Sequence, residues 1–378
     1  MRVGINTLFL VPGDVGGTEI YLRQNLLEMV DQDPTTTFVL FVTRDNEELF
    51  VTELGHFANV EYVRLPIRAA IRPVRILAEQ FLLPRLVSRA AVDVLWSPGY
   101  TAPLRCCCPQ VVTIHDLQYK SHPDDLSRLE RLTLDFLVGS ACRVCEQVIA
   151  VSEFSRQEIL HYKFAPGEKV VAVLEGVDPF FAKAMGKGAL NRAFPELKKP
   201  YILCVAHTYP HKNVHVLVDA FAQLADDIPH DLVLVGKGRR GEGRVQRSLA
   251  ALSCQGRVHR LQNLDLAQLK VLYQGADCFV LPSLYEGFGL PVLEAMLART
   301  PVITSRRASL PEVAGPHSLY VEDNTPEAFA RAIAEELSWS APRLDLWLEH
   351  AFDWASSFTW QRSARQTLEI LLTTAGEK

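Results

Sequence analysis

The feature that most constrains this chain is an alternation of short apolar runs with stretches of helical period, carried through twice. RVGINTLFL, TFVLFV, NVEYVRL, VDVLWS, QVVTI, QVIAVS and KVVAVL read as strands in the first half, with helical stretches near residues 17–31, 72–90, 126–145 and 153–162 between several of them. Runs this continuously apolar suit strands covered on both faces, and strands alternating with helices predict parallel sheets. The stretch 178–200, DPFFAKAMGKGALNRAFPELKKP, breaks the rhythm with Gly, Lys and Pro. It then restarts as YILCVA, DLVLVG, GRVHRL, DCFVLP, TPVITS and HSLYVE, again with helical patterns between. The expectation is an α/β protein of two doubly wound domains, with the linker near residues 180–200. A length of 378 residues agrees, because a single hydrophobic core stops growing below that size. The domains are expected at 1–180 and 181–355. A cleft between two such domains is a natural ligand site. SSFTWQRSARQTLEILLTT, within 356–378, reads as a separate amphipathic helix after Ser/Thr capping candidates.

Several function classes are set aside by composition. Acids and bases are interspersed to a formal net charge of −5, with no basic domain or tail, so nucleic acid is not expected as a partner. No apolar run approaches the ~18 residues of a membrane span. VGINTLFL near the start reads as a first strand feeding a Gly-rich turn and a helix, not as an export signal, so a cytoplasmic location is expected. Of eight cysteines, Cys106, Cys107 and Cys108 are consecutive and Cys142 and Cys145 form a Cys-x-x-Cys. Adjacent cysteines are not expected to converge on one tetrahedral ion, and free thiols in a reducing compartment are the expectation. Asp31-Gln32-Asp33 is the one Asp-x-Asp, and it falls where a helix ends before Pro34, so it reads as a surface turn and no metal is expected. Walker A and His-Glu-x-x-His patterns are absent from the sequence.

The segments that can carry chemistry sit at strand exits. In SLYEGFGLPVLEA, 283–295, Glu286 and Glu294 flank a Gly287-Phe288-Gly289 turn, and Pro291 suits the first helical position. That places free backbone N–H groups and a positive dipole end beside two carboxylates, suited to phosphate or to sugar hydroxyls. Read alone, the pair fits equally a tight turn with an acid in the first helical turn. VAHTYPHKNV offers Lys212, a point charge for phosphate or a solvated loop lysine. Gly16 and Gly17 let the backbone approach a ligand before Thr18 opens a helix, or make a plain turn. His115 and Asp116 follow a strand end in VTIHDLQY, where ligands bind in open α/β sheets. Ser152 in AVSEFSRQEI reads as a helix cap, and Arg156 faces either a ligand or solvent. IRPVRILAEQFLLPRLVSRA, 71–90, reads either as a core-packed helix with its arginines in solvent or as a basic amphipathic helix touching a membrane.

Taken in order, His115-Asp116, V-S-E-F-S from Val151, G-V-D from Gly176, P-H-K-N from Pro210 and E-G-F-G-L-P-V-L-E-A from Glu286 resemble glycosyltransferase family 4, over nearly the whole chain and including the F-T-W of the last helix. The resemblance implies a GT-B fold, two Rossmann-like domains facing across a cleft, with the first binding acceptor, the second binding nucleotide-sugar, and the last helix crossing back to the first. It implies a retaining hexosyltransferase, with a lean toward mannose, working from a UDP- or GDP-sugar onto a glycan or lipid-linked glycan of surface polysaccharide. It implies that Glu294 binds the ribose hydroxyls and that Glu286 contacts the transferred sugar. The backbone of Gly287, Phe288, Gly289 and Leu290 would hold sugar hydroxyls and diphosphate, Lys212 would neutralise the leaving phosphates, His115 would sit beside the attacked carbon, and Gly16 and Gly17 would line the diphosphate. The nucleotide-sugar is a co-substrate, and no cofactor is implied. His207 and His211 stand where many members carry basic residues, and Gln262 stands where a glycine is expected. A nucleotide-sugar epimerase or hydrolase, or a binding protein without turnover, is the alternative reading.

Overall fold

The computed structural model describes residues 1–14, 16–123 and 126–376 and divides into two compact units. Met1–Gly176 and the stretch beginning at Thr359 form the first, and Val177–Phe358 forms the second. The 180–200 segment, expected as a linker, therefore belongs to the second unit, where Pro179–Ala182 forms a 3-10 turn and Ala189–Ala193 a short helix.

The first unit holds seven strands: β1 (Arg2–Asn6), β2 (Thr37–Val42), β3 (Val60–Arg64), β4 (Val94–Ser97), β5 (Gln110–Ile114), β6 (Gln147–Ala150) and β7 (Val170–Ala172). They pair in the order β3-β2-β1-β4-β5-β6-β7, and every pair is parallel. The second unit holds β8 (Tyr201–Val205), β9 (Asp231–Val235), β10 (Val258–Leu261), β11 (Cys278–Leu281), β12 (Val302–Ser305) and β13 (Leu319–Val321). Their order is β10-β9-β8-β11-β12-β13, again all parallel. Both sheets are doubly wound. Phe38 to Val42 along β2 and Cys278 to Val280 along β11 are wholly buried, which is why these strands read as unbroken apolar runs.

In each sheet the chain reverses its winding beside the first strand. The reversal lies between β1 and β4 in the first unit and between β8 and β11 in the second. Connections leaving the carboxyl ends of such a pair diverge and open a crevice, the usual ligand position in this architecture.

The helix expected over residues 72–90 is interrupted. Residues 72–90 form Arg72–Leu77, a π turn at Ala78–Leu82, and Leu83–Arg89. Pro84 lacks the N–H that would continue the ladder there. The separate helix expected within 356–378 runs over Trp360–Gly376, and it is parted from the helix Ala341–Ser356 where Ser357 turns its hydroxyl back to the Trp354 carbonyl, 2.7 Å away. Trp360–Gly376 lies along the helix Gly17–Gln32, with Gln361 Nε2 donating to Glu28 Oε1 at 2.6 Å. Gly176 makes the re-entry of the chain at Trp360 possible, since a Cβ on it would fall 2.2 Å from the Trp360 nitrogen.

Candidate active site

In the second unit the β11 exit builds the turn that the sequence singled out. The chain leaves Leu281 and reaches Gly289 at φ 116°, a left-handed value that glycine tolerates, before the helix Leu290–Leu297 begins. The Ser309 hydroxyl, buried, sits 2.9 Å from the Glu286 carbonyl and 2.6 Å from the Phe288 carbonyl, and so pins both sides of the turn. Phe288 is buried with its ring against Phe358. Pro291 is the second helical residue rather than the first. Glu294 is accordingly the fifth and lies in the second turn, so a favourable dipole interaction at the helix start does not account for it.

Glu294 instead receives a hydrogen bond from the Tyr273 hydroxyl at 2.8 Å. Burial raises its pKa to about 7, against the lowering effect of that bond. Glu286 is held differently. Its Oε1 accepts from Ser283 Oγ at 2.7 Å, and its Oε2 lies 2.6 Å from Lys212 Nζ. Lys212 is therefore not a solvated loop lysine: it is engaged by a buried carboxylate on the neighbouring strand exit.

Lys212 comes from the β8 exit, where Pro210–Lys212 forms a 3-10 turn and Asn213, at φ 55°, starts the helix Val214–Leu224. Its register against the β11 loop is fixed by Leu284 N–H donating to the His211 carbonyl at 2.7 Å. His211 is buried and stacks on Tyr209 with ring centroids 5.7 Å apart. His207 accepts from the Lys237 N–H on Nδ1 at 3.0 Å, which leaves the ring proton on Nε2. Burial, then Arg239, Lys212 and Lys237, lower its pKa, so it is a neutral donor near pH 7. Where the sequence expectation put a glycine at Gln262, the left-handed residue is Asn263, one position on.

The sequence reading missed the charge that gathers here. Lys237 and Arg239 leave β9 in Gly-Lys-Gly-Arg-Arg, and Arg239 N–H donates to Thr208 Oγ1 at 2.7 Å while its guanidinium lies over the Tyr209 ring. The signal was present, because this run also begins at a strand exit. Thr208 is held in turn by Glu242, whose ion pair with Arg260 helps bring its carboxyl down to about 2.

In the first unit His115 directly follows β5 and is buried. Its Nε2 donates to the Pro98 carbonyl at 2.8 Å, and its Nδ1 lies 3.5 Å from Glu175 Oε1. Burial raises the Glu175 pKa, and His115 beside it opposes that rise. The Tyr21 ring stands at 89° to the imidazole with centroids 4.8 Å apart, which brings the helix Gly17–Gln32 beside it. Gly16 caps that helix at φ 58°, and a Cβ there would meet nothing within 4 Å, so its backbone is open to a ligand. Glu175 precedes the Gly-Val-Asp already noted and was not picked out from sequence.

Other expectations resolve simply. Ser152 caps the helix Glu153–His161 through the Ser155 N–H, and Arg156 is committed to the Val170 carbonyl and Glu153. Asp33 accepts from Thr35 and Thr36 in a turn at the amino end of β2, away from the strand exits. In the 71–90 segment Leu83 and Val87 are buried, but Ile71, Val74, Leu77 and Phe81 are exposed, as are Leu129, Leu132 and Phe136 of the helix Arg128–Val144. The Arg72–Glu130 ion pair joins the two helices. Among the described residues no helix is long and apolar enough to cross a membrane. The expectation that consecutive cysteines do not converge is corrected: the three sulfurs of Cys106, Cys107 and Cys108 lie within 4.8 Å of one another, because the chain bends through them instead of running extended.

Comparison with known proteins bears directly on this arrangement. Residues 15–180 match the family described as Glycosyltransferase Family 4, and residues 190–346 match that described as glycosyl transferases group 1. The O-antigen chain mannosyltransferase B of Escherichia coli is 30% identical over 317 residues, covering 79% of this chain and 80% of that one. The O-antigen chain mannosyltransferase RfbU of Salmonella typhimurium is 28% identical over 226 residues, 59% and 60% of the two chains. The structure of Anabaena Alr3699/HepE in complex with UDP and glucose shares the fold, at a TM-score of 0.77 over 99% of each chain and 21% identity. With two doubly wound units and the family's segments at their strand exits, the chain belongs to the family 4 glycosyltransferases of GT-B fold and is a transferase of glycan synthesis.

Proposed function

We propose that the enzyme transfers a hexose, with mannose the first candidate, from a UDP- or GDP-sugar to a glycan or lipid-linked glycan acceptor, retaining the anomeric configuration. The observation that carries this reading is the Lys212–Glu286 pair beside the backbone turn that opens the helix Leu290–Leu297. The departing nucleoside diphosphate gains negative charge as the sugar bond breaks. Lys212, the Lys237 and Arg239 cations, the neutral His207 Nε2–H and the N–H groups at the helix start are fixed donors for that charge. Glu286 accepts hydroxyls of the sugar, and Glu294 with Tyr273 accepts those of the ribose. In the first unit, Gly16 offers a backbone open to a ligand and His115 an imidazole that Glu175 and Pro98 hold in place. Because donors of this kind supply the stabilisation, no divalent ion is needed and a chelator leaves turnover unchanged. The O-antigen mannosyltransferase relatives support mannose and a surface-polysaccharide acceptor.

The test is to incubate the enzyme with labelled GDP-mannose or UDP-glucose and lipid-linked acceptors, then follow the label and the anomeric configuration of the product. Label in the glycan with retention supports the proposal. Free or epimerised sugar as the main product with acceptor present supports a hydrolase or epimerase instead, and nucleotide binding without turnover supports a binding protein.

A further inference from the structure

The Cys106-Cys107-Cys108 run is not among the residues proposed to act in transfer, yet it occupies a built site. It lies on the connection between β4 and β5, and its Cys106 and Cys107 line an open cavity of about 490 Å³ with Pro84, Arg85, Ser88, Arg89 and Arg105, Cys108 lying behind them. Three guanidinium groups and no acid line this cavity. The sulfurs are graded in exposure: Cys107 is exposed, Cys106 is partly covered and Cys108 is buried. Cys106 Sγ and Cys108 Sγ are 3.7 Å apart. All eight cysteines are thiols.

From the cavity, its arginines and the sulfur pair we infer a thiol–disulfide exchange site, at which Cys106 attacks a small anionic disulfide of the glutathione class and Cys108 resolves the product. The Cys108 thiol, followed by the backbone N–H groups of Cys108 and Cys107, stabilises the Cys106 thiolate against burial and brings its pKa down to about 6. At neutral pH the attacking sulfur is therefore ionised, and its pKa is close enough to ambient to keep it nucleophilic. By contrast burial pushes the Cys142 thiol up to about 12, and Cys145 well above its ordinary value, so the Cys-x-x-Cys is inert.

The chemistry closes without any further reagent. The Cys106 thiolate forms a bond to one sulfur of the small disulfide, whose S–S bond breaks and releases one small thiolate. Cys108 gives its proton to solvent and attacks Cys106 Sγ, and the mixed disulfide breaks to release the second thiolate. Two protein thiols are oxidised and one small disulfide is reduced to two thiols. The carboxylates of the incoming disulfide face Arg85, Arg89 and Arg105, which raise its local concentration and orient it over Cys106.

The test exposes the reduced full-length enzyme, in chelator, to oxidised glutathione or to the neutral hydroxyethyl disulfide, and maps the products by mass spectrometry. The wild type is expected to yield a Cys106–Cys108 disulfide, two hydrogens lighter, with Cys107 still alkylatable. Cys108→Ser is expected to trap one glutathionyl group on Cys106. Wild type should react on the order of tenfold faster with the anionic disulfide than with the neutral one, and the Arg85→Ala/Arg89→Ala/Arg105→Ala variant should lose that preference. Reaction on Cys107 alone, or equal rates with both disulfides in the wild type, would overturn the inference. Thermal melts of each variant separate lost exchange from lost fold.

Discussion

Lys212 Nζ lies 2.6 Å from Glu286 Oε2, joining the exits of β8 and β11 across the point where the second sheet reverses its winding. Each residue was picked out from sequence as a separate ligand-binding group, and in the free enzyme each is the other's partner. A donor bound here must share or replace that bond.

Lys212→Ala therefore has two expected effects. It strands a buried carboxylate with Ser283 as its remaining partner, costing about 2 kcal/mol of stability. It also removes a cation from the leaving group, lowering kcat by roughly a hundredfold. Adding Glu286→Gln should restore most of the melting temperature and none of the turnover. A double variant that regains turnover would show the lysine to be structural.

Glu294 makes the stability of the unliganded enzyme depend on pH. Its pKa in the folded chain is about 7, above that of an unfolded glutamate, so between those values the folded state holds more protons. Stability is then greatest at acid pH and falls as pH rises toward 7. Glu294→Gln removes this contribution and should stabilise the unliganded protein by roughly 2 to 3 kcal/mol at pH 8, with little change at pH 4.5. Urea melts at the two pH values measure it, and equal effects at both would contradict the assignment.

The strands were legible because both sheets bury both faces, which leaves apolar runs such as Phe38 to Val42 with no polar interruption. The motif residues were legible because strand exits are where such sheets bind ligands. What escaped were pairings between segments distant in sequence: Glu175 with His115 and Lys237 with His207 across strand exits, and Tyr273 with Glu294 between two helices. No local spacing encodes these, since the sheet order and not the sequence order sets which loops meet. The π turn at Ala78–Leu82 escaped for a local reason: a proline one turn on disturbs the ladder without disturbing the apolar pattern.

His115 Nδ1 lies 3.5 Å from the buried Glu175 carboxyl, whose pKa is raised, so Glu175→Gln should leave the fold within about 1 kcal/mol while shifting the acid limb of the kcat profile. A lowered melting temperature with an unmoved pH profile would make Glu175 a packing residue only.

The exposed face of Ile71, Val74, Leu77 and Phe81, next to the arginines of the same segment, should hold the enzyme on anionic vesicles. Leu77→Asp/Phe81→Asp is expected to abolish co-sedimentation and spare turnover on a soluble acceptor. Unchanged sedimentation would remove this face from the account.

The central claim is that the second unit is built for a nucleoside diphosphate sugar. Calorimetric titration of the full-length enzyme with UDP and with GDP, for wild type and Glu294→Ala, tests it most directly. The account predicts that one of the two nucleotides binds the wild type and binds Glu294→Ala about tenfold or more weakly. Binding of neither nucleotide, or equal affinity in the two proteins, would contradict it.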